Sequence, residues 1–122
     1  MLEEKVYDLE DRLIEFAVFS MEIAEALPRS DSGKYLSGQM IRSGTSPALI
    51  YGEAQSAESR KDFIHKMKIA LKELLETCIN LKIVKKKGFQ TLPENFHEAL
   101  DEVNQLISIF VKSIQTARKN LK

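Results

Sequence analysis

Apolar residues recur in steps of four and three along three stretches of this chain, the 3.5-residue period of helices that share a packing seam. The first seam reads Leu2, Val6, Leu9, Leu13, Phe16, Ser20, Ile23 and Leu27. The next is Phe63, Met67, Ala70, Leu74, Thr77, Leu81 and Val84, and the last is Phe96, Leu100, Val103, Ile107, Phe110, Ile114, Ala117 and Leu121. Each keeps one stripe turned toward a partner helix along its whole length. The pattern predicts an all-α, antiparallel up-down-up-down four-helix bundle in a single domain, with helices at about 3–27, 33–56, 60–86 and 92–120.

Local chemistry at the segment ends agrees. Pro28 stops the first helix, and Ser59 is placed to cap the third while Asp62 sets negative charge on its positive end. Lys85, Lys86 and Lys87 followed by Gly88 form a C-terminal signal: cations on the negative helix end, then a residue that tolerates the left-handed cap. Thr91-Leu92-Pro93-Glu94 has the form of a capping box with proline in the first turn. Short connections make neighbours antiparallel.

The second segment is the least regular. Gly33, Gly38, Gly44, Gly52 and Pro47 all lower helix propensity, and Pro47 removes a bond to the carbonyl of Ser43, which predicts a kink between them. Leu36, Met40, Ile50 and Ala54 still fit one face. The small residues let two backbones approach closely, so tertiary packing must hold this helix.

A chain of 122 residues is long enough for a core without staples, and the single Cys78, set among apolar residues, excludes an internal disulfide. No apolar run reaches the length of a membrane span, and MLEEKVYDLE is too acidic for a signal peptide, so a cytoplasmic protein is expected. Eighteen cationic side chains balance eighteen anionic ones. That removes the global pull expected of a protein coating nucleic acid, without excluding a local basic patch.

Candidate chemistry is sparse. Asp62-Phe63-Ile64-His65 and Glu94-Asn95-Phe96-His97 both have the carboxylate-x-x-His spacing of di-metal bundles. Both lie at helix starts, however, and antiparallel third and fourth helices put those starts at opposite poles, roughly 30 Å apart at 1.5 Å per residue. No metal or other cofactor is therefore expected. Cys78 has no adjacent histidine, and no nucleophile elbow or phosphate loop is present, so no enzymatic activity is expected either. On the third helix Asp62, Lys66, Ile69, Glu73, Glu76 and Asn80 follow the seam one position earlier and border the core. Their charges need partners, and Arg42 and Glu53 on the second helix are the natural ones. A partly buried cluster of Arg42, Glu53, Glu73 and Glu76 is expected, in which removing the arginine costs roughly 3 kcal/mol. A catalytic pairing of Glu73 with Glu76 is the alternative.

Helices one and four carry more apolar surface than one seam uses. Ile14, Val18, Met21 and Phe19 on the first, and Leu106, Ile109 and Val111 on the fourth, predict a joint outer patch that serves as an oligomer interface.

Several segments together are similar to one family. They are Gln39-Met40-Ile41-Arg42-Ser43-Gly44-Thr45-Ser46, Gly52-Glu53-Ala54-Gln55, Ser59-Arg60-Lys61-Asp62-Phe63-Ile64-His65-Lys66, Lys72-Glu73 and Glu76-Thr77. They resemble the four-helix-bundle proteins named after intervening sequences of 23S ribosomal RNA genes. Departures fall at Ile50, where members often carry asparagine, and at Asn80, where they often carry tryptophan. The resemblance implies a bacterial bundle that assembles as a five-fold ring, a homopentamer. It also implies a relation to the accessory protein of diversity-generating retroelements, which works with a reverse transcriptase and RNA.

Two function classes follow. One is a non-enzymatic, self-assembling scaffold that binds itself and some protein partner. The other is a nucleic-acid-associated accessory protein. Its footprint would be Arg29, Lys34, Lys82, Lys85, Lys86 and Lys87, which the topology gathers at one pole, opposite Glu3, Glu4, Asp8, Glu10 and Asp11. Neutral net charge and the absence of interleaved basic and aromatic residues favour the first class.

Overall fold

The computed structural model describes residues 8–121, which form four α-helices: α1 (Leu9–Ala26), α2 (Asp31–Gln55), α3 (Arg60–Lys87) and α4 (Phe96–Lys119). Leu2, Val6, Glu3 and Glu4, and the expected start of the first helix, lie outside the described residues. Packing runs in chain order, α1 on α2, α2 on α3 and α3 on α4, and α4 closes the ring of helices on α1 most lightly. The result is an all-α, antiparallel four-helix bundle.

Most seam positions became the core, while Leu9, Phe63, Leu100 and Ile107 are half-buried and Leu121 is exposed. Leu13, Phe16, Ile23, Met67, Leu74, Leu81, Val103 and Phe110 are all buried, and Tyr51 of α2 reaches Phe110 of α4 edge-to-face at 6.1 Å between ring centres. The two seam positions that are polar, Ser20 and Thr77, are buried as well. Each returns its hydroxyl to a carbonyl one turn back, Ser20 to Phe16 at 2.9 Å and Thr77 to Glu73 at 2.9 Å. A buried hydroxyl without such a partner would cost about 1–3 kcal/mol.

Caps fix the helix boundaries. Ser30 Oγ accepts the Gly33 amide at 3.2 Å and opens α2. At the start of α3, Ser59 Oγ accepts the Asp62 amide at 3.0 Å, and Asp62 in return accepts the Glu58 amide at 3.2 Å. Asp62 also accepts from Lys66 Nζ at 2.8 Å, and chiefly that bond holds its carboxyl below the ordinary value while raising the Lys66 ammonium. Gly88 ends α3 with φ 76°, the left-handed conformation expected there. The capping box at Thr91 does not form. Phe89 to Asn95 instead make a loop, the Phe96 amide bonds back to Pro93 O, and α4 opens at Phe96 with no side-chain cap.

Contrary to its composition, α2 is a continuous helix of 25 residues with Pro47 inside it. Two glycines are spatial necessities. A Cβ on Gly44 would lie 2.3 Å from Ser20 Oγ, and one on Gly33 would lie 1.9 Å from the Pro28 carbonyl oxygen. Around the proline, Ser43, Thr45 and Ser46 donate to the carbonyls of Gln39, Ile41 and Arg42. These hydroxyls fold back onto carbonyls of the preceding turn, as serine and threonine do inside helices.

Candidate functional site

The polar residues singled out in α2 and α3 meet at the interface of those two helices. Arg42 lies between two carboxylates, with Nη1 donating to Glu73 at 3.0 Å and Nη2 to Glu76, and Nη2 also reaches Gln39 Oε1 at 3.1 Å. Glu53 is exposed on α2 and takes no part. The cluster is also wetter than expected. Arg42 keeps 48% of its side chain accessible, so water screens the pair, and the buried-ion cost does not apply.

Beneath the arginine sits a drier layer. Ser43 is fully buried and is the hub. Its Oγ donates to Gln39 O at 2.9 Å and lies 2.8 Å from Thr77 Oγ1 and 3.2 Å from Asn80 Nδ2. Asn80 thus donates a hydrogen bond across to α2. No buried side-chain nitrogen or oxygen among the described residues lacks a partner. The arrangement is one of mutual satisfaction: each carboxylate and hydroxyl is engaged by protein, and the pair Glu73–Glu76 is held by Arg42.

A second tie joins the light α1–α4 contact. Arg12 forks onto Glu102, Nε to Oε2 at 3.0 Å and Nη2 to Oε1 at 2.8 Å, and adds Gln105 at 3.1 Å. Glu102 raises the guanidinium pKa above its ordinary value. Nothing in the periodicity marked this pair, since both residues stand just outside their seams.

Part of the expected outer patch on α1 and α4 is buried. Leu106 is fully buried in the core, Phe19 is half-buried and packs against it, and Ile109 is half-buried on α4. Both helices face two neighbours, and the second neighbour covers the residues that one seam left over. Ile14, Val18 and Met21 do remain exposed on α1, at 45%, 48% and 39%, and so does Val111 on α4.

Arg29, Lys34, Lys82, Lys85, Lys86 and Lys87 are all exposed, and the topology sets them at or near the pole where α1 ends, α2 begins and α3 ends. Lys87 Nζ sits 5.4 Å above the Phe89 ring. Asp31, Glu94 and Glu98 share the pole, so its charge is mixed. His65 and His97 are exposed at the starts of α3 and α4, and no three His, Cys, Asp or Glu side chains converge among the described residues. Cys78 is buried, its Sγ 3.9 Å from Asn104 Oδ1. Among the described residues no helix is long and apolar enough to cross a membrane.

Such a bundle, with its distinctive polar contacts invested in helix pairing, belongs to the class of small helical proteins defined by how their helices lock together. The chain is a member of the 23S rRNA-intervening sequence protein family, whose model matches residues 6–112. It is also similar to a crystal structure from Bacteroides thetaiotaomicron VPI-5482, described as a protein with unknown function from the S23 ribosomal protein family. The two share 30% identity over 86% of this chain and 96% of that one, with a TM-score of 0.77. No curated protein matches the chain.

Proposed function

We propose that this protein is a non-enzymatic, self-assembling interaction module whose bundle presents outer helix faces to further copies of itself. The observation that carries the reading is the exposed stripe of Ile14, Val18 and Met21 on α1. Three large apolar side chains at i, i+4 and i+7 form a face, and a face of that kind on a small bundle marks an interface. The engaged state of the Arg42, Glu73 and Glu76 cluster supports the non-enzymatic part, because its carboxylates are spent on pairing α2 with α3. Five copies in a closed ring is the assembly that the family resemblance implies. Native mass spectrometry tests both parts: a species at five times the 13.9 kDa chain mass supports the ring, another multiple retains self-assembly alone, and a monomer at micromolar concentration overturns the proposal.

A nucleic-acid-associated role is the second reading. Three exposed lysines on the last turn of α3 and the resemblance to the retroelement accessory protein support it. Lysines at a helix C-terminus are also ordinary compensation of the helix dipole, and the acidic residues at the same pole weaken its attraction for a polyanion. Replacing Lys85, Lys86 and Lys87 with glutamine and titrating RNA at low salt separates the two. Salt-sensitive binding by the wild type that the triple variant loses would favour the second reading.

A further inference from the structure

Leu75, Ile79 and Ile83 follow one another at steps of four along α3 and are 48%, 54% and 46% exposed. That spacing keeps them on one face of the helix, away from the buried Leu74, Thr77 and Leu81. Lys72, Lys82 and Lys86 flank the stripe and are exposed too. Ile79 and Ile83 line a surface depression together with Lys82, Lys86 and Lys87, a floor of apolar side chains rimmed by ammonium groups. The carboxylates of α3 do not neutralise this face: Asp62 is paired with Lys66, and Glu73 and Glu76 with Arg42.

The outer face of α1 has the opposite character. Ile14, Val18 and Met21 are bordered by Glu15, Glu22 and Glu25, all exposed. Arg12, the only cation in α1, is held by Glu102. The two stripes also match in length, since a rise of 1.5 Å per residue makes each roughly 10–12 Å long. Apolar matter on both sides supplies adhesion, and the opposed charges set register and exclude pairing of like faces.

We infer that the acidic, apolar outer face of α1 in one copy seats on the basic, apolar outer face of α3 in the next. Within one bundle this pairing is impossible, because α1 and α3 occupy diagonal corners, each packed between α2 and α4. The contact is therefore head-to-tail, the type that propagates into rings or open chains rather than stopping at a symmetric dimer. The inference rests on the self-assembly reading and names the partner surface for the α1 stripe.

Charge reversal in full-length protein tests it. One variant carries Lys72→Glu, Lys82→Glu and Lys86→Glu, which makes both faces acidic. A second carries Glu15→Lys, Glu22→Lys and Glu25→Lys, which makes both faces basic. Helical circular dichroism equal to wild type establishes that each folds. Sedimentation velocity at low salt is expected to show an assembled wild type, each variant alone at monomer mass, and their equimolar mixture associated again into even-numbered species, since only unlike variants can adjoin, and dispersed by salt. An assembled wild type with the acidic variant equally assembled, or a mixture that stays monomeric, overturns the pairing of α1 with α3 while leaving self-assembly intact. A monomeric wild type overturns both.

Discussion

At Gly44 the balance of one substitution can be worked out from its surroundings. Alanine would gain about 1 kcal/mol of helix propensity. Its methyl would also lie 2.3 Å from Ser20 Oγ and 2.4 Å from Ser20 Cβ, and overpacking of that kind costs about 1–3 kcal/mol. Gly44→Ala is expected to lower stability in urea unfolding. Ser20→Gly, which removes the atoms it strikes, should show favourable coupling with it in a double-mutant cycle, whereas Ser20→Ala, which keeps the Cβ, should not. Gly38 and Gly52 are internal controls, with no atom within 4 Å of an added Cβ. Alanine at either should raise stability by about 0.5–1 kcal/mol, and a loss at both would show that α2 needs flexibility of its own. For Arg42 the exposure decides the magnitude. With 48% of the side chain accessible, Arg42→Ala should cost roughly 1 kcal/mol, and a loss near 3 would mean the cluster is drier in solution.

At the scale of the helix, the start of α3 links structure to pH. The Asp62 carboxyl titrates below its ordinary value because the Lys66 ammonium and then the Glu58 amide bind its ionised form. The stabilisation is thus complete above the unfolded value near 3.8 and is lost as pH falls through the lower folded value. Carbon-detected NMR titration should place the Asp62 midpoint below 3.8, and Lys66→Met should move it upward. An unshifted midpoint would remove the reciprocal cap from the account of this helix. How far the elements were legible depended on where their signals lie. The seams, Ser59, Asp62 and Gly88 act within one helix, and their periodic or capping meaning survives in the bare sequence. Gly33 and Gly44 look like helix breakers because the atoms that require them, Pro28 O and Ser20 Oγ, belong to the connection before α2 and to α1. Thr91 to Glu94 misled for the converse reason: the residues suit a cap, but the chain runs on to Asn95 before turning into α4. Phe19 and Leu106 were misplaced because a seam gives the direction of one neighbour, and each helix here has two. The Leu75, Ile79 and Ile83 stripe was open to view as a run of i, i+4, i+8 apolar positions, concealed only by its closeness to the stronger seam.

For the whole molecule, several of the segments that carry the family resemblance join α2 to α3. Arg42, braced by Gln39, and Ser43 on one side meet Glu73, Glu76 and Thr77 on the other. The resemblance thus reports an architecture, which is why it identifies the bundle so much better than an activity. The opposite edge, α1 against α4, is the lightest contact and relies on the Arg12–Glu102 fork. Arg12→Ala should cost roughly 1 kcal/mol, and hydrogen exchange should rise first in α1 if that edge opens before the rest. Protection lost first in α2 would locate the weak edge elsewhere. Cys78 offers a way to time such events. The one thiol of the chain is shut into the bundle on α3, near Asn104 of α4, so a disulfide reagent can reach it only when the helices part. Its rate of modification becomes a clock for breathing of the fold. If assembly closes the openings that a free bundle samples, the clock should slow as protein concentration rises.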